Sequence, residues 1–155
     1  EHGNFGLYET QAILRYLDRT FPGPRLWPEE SIASARCDQW ASAVCDSLVN
    51  SALRYMAARF GFLPVPAEMQ QKYLEKTREV VPVFDRQLGH SRYLAGEALT
   101  AADLFLLPVL SYFPDIAELS AIAEAAPNCK RWMREMAARP SVKATEPQQK
   151  PQLAA

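Results

Sequence analysis

YLAGEALTAADLFLLPVL, Tyr93 to Leu110, is the stretch from which the fold can be read. Thr100 is a strong helix N-cap, because its hydroxyl can accept from an N–H that the first helical turn leaves without a partner. Asp103 stands three residues on, where its carboxylate can reach back to the Thr100 N–H. The pair is a capping box with Asp in place of the more usual Glu. Leu99 and Leu104 flank it at the two positions of a hydrophobic staple. Leu104, Phe105, Leu106, Leu107, Val109 and Leu110 then follow, apolar on every side. A helix without a polar face belongs in the middle of a domain, so other helices should pack around it.

Those helices are legible on both sides. From about Glu29 to Phe62 there is no proline, and apolar residues recur at Trp40, Val44, Leu48, Ala52, Tyr55 and Phe60, close to helical spacing. This predicts one long helix, ended by Gly61 and Pro64. Pro66 suits the first turn of the next helix, which runs to about Leu88 and should kink at Pro82. A short Pro-Val-Pro turn between the two predicts that they lie antiparallel. Beyond the central helix, Pro127 starts another through Trp132, Met133 and Met136, and Arg139-Pro140 ends it. The Gln/Pro/Lys tail from Thr145 reads as disordered. No strand-period run follows Tyr8.

The front of the chain differs. LYETQAILRYL, Leu7 to Leu17, sets Glu9 and Thr10 at the first turn of a helix whose apolar side is Ile13, Tyr16 and Leu17. Such a turn favours anions, since its free N–H groups and its dipole both point at the ligand and Thr10 adds a hydroxyl. Glu9 beside it can receive an ammonium. Together they would suit an α-amino-acid head group, although an ordinary acidic helix start has the same pattern. Phe21-Pro22-Gly23-Pro24 stops this helix. The stretch from Pro22 to Pro28 then reads as a linker, with Leu26 and Trp27 set to plug into a neighbouring surface.

The opening motif resembles the glutathione transferase family, through Glu9, Thr10, Ala12, Ile13, Tyr16 and Leu17. There a Glu-Ser or Glu-Thr pair holds the γ-glutamyl end of glutathione. Gly3-Asn4 looks like the family's last hairpin turn, and Phe5 to Tyr8 like the short strand after it. The run from Tyr93 to Leu110 resembles the signature of the same family's C-terminal domain, and Trp132 through Val142 its closing helices. The resemblance implies an all-α bundle preceded by a strand-and-helix remnant of a thioredoxin-like domain. Residues 1–22 would end that domain, 23–30 link, 31–143 form the helical domain and 144–155 a disordered tail. It also implies that the chain is the C-terminal part of a longer protein or a naturally short relative, without the residue that activates the thiol.

The activity implied is attack of the glutathione thiolate, glutathione being a co-substrate, on an electrophilic carbon of an apolar molecule. Glu9 and Thr10 would anchor glutathione, while Tyr55 and Met56 on the first long helix would wall the apolar site. Asp46 would either face the glutathione of a partner subunit, as an acidic residue there does in some classes of the family, or be a solvated surface charge. Thr100 and Asp103 are read as folding elements, not catalysts. The alternatives are a non-catalytic interaction module and a glutathione-dependent reductase or isomerase of the same fold. A homodimer is implied by the resemblance alone.

Composition narrows the classes further. Of 155 residues 48% are hydrophobic and 23% charged, as in an ordinary globular domain. The net charge of −1 gives no electrostatic footprint for nucleic acid or an anionic membrane. The apolar run from Leu104 to Phe113 is too short to span a bilayer, and no leader-like segment opens the chain. Three cysteines, an odd number, fit a reducing, cytoplasmic compartment better than a disulfide framework. With His2 and His90 isolated, no metal-ligand spacing appears, and the cysteines read as buried thiols.

Overall fold

The computed structural model describes residues 1–149 and 151–153. Its order is α1 (Thr10–Thr20), α2 (Ser31–Ala43), a π-helical segment (Val44–Leu53), α3 (Arg54–Arg59), α4 (Ala67–His90) and α5 (Ala101–Leu110). A single 3₁₀ turn (Phe113–Asp115), α6 (Ala117–Glu124), α7 (Pro127–Ala137) and α8 (Pro140–Ala144) follow. α2, the π-helical segment and α3 run on without a gap, forming the long helix that the periodicity predicts. Glu30 starts it, its carboxylate accepting from the N–H groups of Ile32 and Ala33 at 2.9 and 2.8 Å. α4 packs back against the π-helical segment and α3, and continues through Pro82 as one helix.

α5 sits at the centre. Ala101, Ala102, Leu106, Val109 and Leu110 are buried, with α2, the π-helical segment and α7 packed around them. The reciprocal box is in place at its start. Asp103 does more there than a cap requires: Oδ2 accepts from the Thr100 N–H (3.0 Å) and hydroxyl (3.1 Å). Oδ1 accepts from the Leu94 N–H (3.0 Å) and the Trp132 indole N–H (3.1 Å). One carboxylate thus ties the 93–96 turn, α5 and α7 together. Burial pushes its carboxyl above the ordinary range, against four hydrogen bonds that lower it.

Three expectations need correction. Phe5 to Tyr8 is not a strand: the hairpin is reduced to an isolated antiparallel bridge between His2 and Phe5, because a strand needs a neighbour to bond its backbone and none is present among the described residues. Trp27 is buried within this chain and Leu26 half-buried, so neither waits for an outside surface. The Leu26 carbonyl accepts from the Ala101 N–H at 3.0 Å, so the linker satisfies a free donor at the start of α5. Ala144 and Thr145, expected within the tail, are ordered instead: Ala144 closes α8 and Thr145 bonds back to Ser141 and Val142, while residues 150, 154 and 155 of that tail lie outside the described residues.

Candidate functional site

The site grows from the start of α1. Glu9 is its N-cap residue at φ 71° and ψ 118°, the one non-glycine residue with positive φ among those described. That backbone costs on the order of 1–3 kcal/mol for a residue with a Cβ. Among the described residues neither its carboxylate nor another side chain caps the helix. The Glu9 carbonyl accepts from Ile13 N at 2.9 Å, which leaves the first-turn N–H groups of Thr10, Gln11 and Ala12 without a helical acceptor. Glu9 and Thr10 are both exposed. The strained turn thus sets an exposed carboxylate next to an uncapped helix start, an acceptor beside a row of donors.

α1 is held on the bundle by a cluster that sequence reading missed. Arg15 forms an ion pair with Asp38 of α2 at 2.5 Å and lies over the Trp27 ring at 5.5 Å. The Trp27 indole N–H donates to the same Asp38 oxygen at 2.8 Å. Asp18 Oδ1 accepts from Leu26 N at 2.6 Å, and its carbonyl accepts from Arg25. On the opposite side, His2 Nδ1 and the Tyr16 hydroxyl are 2.7 Å apart, with Phe5 and Phe21 around them. Nothing local signals the pairing of Arg15 with a residue 23 positions on.

Tyr55 and Met56, the residues expected at an apolar wall, are 4% and 1% exposed and sit within the core. The Tyr55 hydroxyl accepts from Arg59 at 3.2 Å, and Arg59 pairs with Glu118 of α6 at 2.5 Å. Burial pushes the Tyr55 phenol up, and Arg59 partly opposes it. Asp46 is exposed on the π-helical segment, its carbonyl accepting from Asn50 Nδ2 at 3.0 Å. Cys37 and Cys129 are buried and Cys45 half-buried, all as free thiols. Burial, with Asp85 nearby, takes the Cys129 thiol up to about 12. Among the described residues no group of three or more His, Cys, Asp or Glu side chains could hold a metal ion.

A helical bundle locked by a buried capping box carries a strained and uncapped helix start docked in front of it. The family model for the glutathione S-transferase C-terminal domain matches residues 44–140. The chain belongs to that family. It is 29% identical over 150 residues to glutathione S-transferase F12 of Arabidopsis thaliana, covering 92% of this chain and 70% of that protein. It is 28% identical to glutathione S-transferase F14 of the same plant, over 91% of this chain and 59% of that one. Among solved structures it is similar to glutathione transferase F2 from Populus trichocarpa, with TM-score 0.82, 26% identity, and 93% and 70% of the two chains covered. A glutathione S-transferase-I bound with lactoylglutathione gives TM-score 0.82 at 25% identity, with the same coverage.

Proposed function

We propose that this chain supplies the γ-glutamyl anchor and the helical domain of a glutathione transferase, which joins the glutathione thiolate to an apolar electrophile. The Glu9 backbone carries the reading. A positive φ at an exposed glutamate that caps nothing is a cost the fold does not need, and a ligand ammonium gives it a purpose. Glu9 accepts the α-ammonium of glutathione, while the Thr10 hydroxyl and the first-turn N–H groups take its α-carboxylate. Residues 1–22 act as the end of a thioredoxin-like domain, 23–30 as the linker and 31–143 as the helical domain. The thiol-activating group is assigned to no position of this chain.

Relatives named as glutathione S-transferases over most of the chain support this activity. The protein works in detoxification as a cytoplasmic homodimer; its three free thiols suit a reducing compartment. No single described helix is long and apolar enough to cross a membrane. Glu9→Ala in the full protein tests the anchor. Calorimetry should show glutathione binding weakened by about 1.5–3 kcal/mol, the range for a hydrogen bond to a charged group. A glutathione analogue without the α-amino group should bind the wild type less well and the variant equally. Undiminished discrimination by the variant would remove Glu9 from the site, and no retention of the full protein on immobilised glutathione would favour an interaction module.

A further inference from the structure

α4, α5, the 3₁₀ turn, α6 and α7 together line a half-open cleft of about 190 Å³. Its walls are apolar, with Val81, Leu110, Phe113, Ala123, Cys129 and Met133 among them. None of its lining comes from α1 or the linker, so it is separate from the glutathione anchor. An apolar cavity of roughly 150 Å³ is large enough to bind benzene, so this one has room for a single aromatic ring and a short extension.

The rim determines what that extension carries. Lys130, Arg134 and Glu124 are the charged residues of the cleft's lining. Glu124 is taken by Lys130, whose ammonium lies 2.5 Å from Oε2, so the acidic side chain is already neutralised. The exposed Arg134 guanidinium has no ion-pair or hydrogen-bond partner among the described residues, while Arg131, one turn earlier, is fully engaged with Glu135 and the Leu88 carbonyl. An unpaired guanidinium beside an apolar cleft matches a carboxylate, which it can hold through two parallel N–H donors. The ligand's charge stays at the solvent edge and its apolar body enters. We infer that this cavity is a second binding site, for a small arylalkyl carboxylate, with Arg134 as its charge partner.

The test uses the full chain carrying ¹³C-methyl methionine. Of Met56, Met69, Met133 and Met136, Met133 alone lines the cavity. Titration with 3-phenylpropionate should move the Met133 methyl resonance saturably, and the neutral 3-phenyl-1-propanol should bind about tenfold more weakly at neutral pH. Arg134→Gln, a surface change, should abolish that preference without altering the alcohol's affinity. Ala123→Met, which fills the cavity, should block both ligands while circular dichroism shows the helices intact; should that variant not fold, Arg134→Gln decides alone. Absence of a saturable shift at millimolar ligand overturns the site. Equal affinity for acid and alcohol, or a preference that survives Arg134→Gln, overturns the carboxylate assignment.

Discussion

Asp103 is a buried carboxylate whose four partners are all donors, and that sets what each substitution there will do. Thr100→Ala removes one partner and one cap, and should cost about 0.5–2 kcal/mol. Asp103→Ala strands the donors of Leu94, Thr100 and Trp132, each at about 1–3 kcal/mol if left dry, so its loss should exceed that of Thr100→Ala. The double variant should cost less than the sum, since the side chains serve one turn. Urea melts check all three. Asp103→Asn is no conservative swap either, because an amide NH₂ would face donors. It does isolate a pH effect. Burial raises the folded carboxyl above 3.8, so the native state keeps a proton that the unfolded chain has already released. The contribution of Asp103 is therefore largest below 3.8 and falls as pH rises through the raised value. Glu30, Glu118 and Glu135, held below the usual range by hydrogen bonds, run the opposite way. The difference in stability between wild type and Asp103→Asn across the acid range cancels those three, and should shrink as pH rises. Strain at Glu9 gives a further residue-scale expectation. Glu9→Gly relieves the positive φ and removes no hydrogen bond of the described fold, so thermal stability should hold or rise while glutathione affinity falls.

Two features belong to the elements. The first is the ten-residue π-helical segment inside the long helix. Ser51, 1% exposed, donates to the carbonyls of Ser47 and Leu48 at 2.8 and 3.3 Å, and Asn50 donates to that of Asp46. Polar side chains bonding back to carbonyls compete with the regular ladder, and wider turns of this kind recur at functional sites. The Ser47, Asn50 and Ser51 trio is the one sequence signal that marks it; the apolar periodicity runs through unchanged. The second is the start of α7. Its N-cap residue is Ala126, which has no capping group, and Asp85 of α4 takes the role instead. Asp85 Oδ1 accepts from the N–H groups of Asn128 and Cys129 at 2.8 and 2.9 Å, and Oδ2 from Asn128 Nδ2 at 3.1 Å. Asp85→Ala should cost about 2 kcal/mol, as expected for losing charge-assisted bonds at a helix end. Hydrogen exchange should accelerate first at Asn128 and Cys129. Protection unchanged at those two amides would mean that Pro127 alone starts the helix.

At the scale of the molecule, apolar surface stays exposed around α1. Phe5, Ile13, Leu17 and Phe21 are 49%, 36%, 43% and 47% exposed, and line one shallow apolar depression with Leu7 and Tyr16. A contiguous apolar surface of this kind favours association. The 155 residues expressed by themselves should therefore be helical yet prone to associate. They should show no conjugation of glutathione and negligible affinity for it. One anchor at the glutamyl end does not offset the several kcal/mol needed to immobilise a flexible tripeptide. Light scattering, calorimetry and a thiol-conjugation assay on the isolated chain check this, and micromolar binding or turnover would overturn it.

Local order determined much of this protein. The Thr100–Asp103 box, the proline and glycine stops, and the 3.6-residue stripes place the long helices and the central helix correctly. Each of these depends on neighbours within a turn or two, and their physics is present in any short window of sequence. What needed the tertiary structure is whatever has its partner far away. Phe5 to Tyr8 has strand composition but no neighbouring strand among the described residues. Trp27 looks like a plug for another surface until Asp38 and Arg15 close around it. Tyr55 and Met56 share the spacing of a ligand face and of a core, and only packing by the other helices separates the two. The 3₁₀ turn and α6, short and weakly patterned, went unread between two stronger helices. The cap of α7 sits 43 residues away on another helix. Periodicity states which face is apolar; only the folded chain decides what meets it.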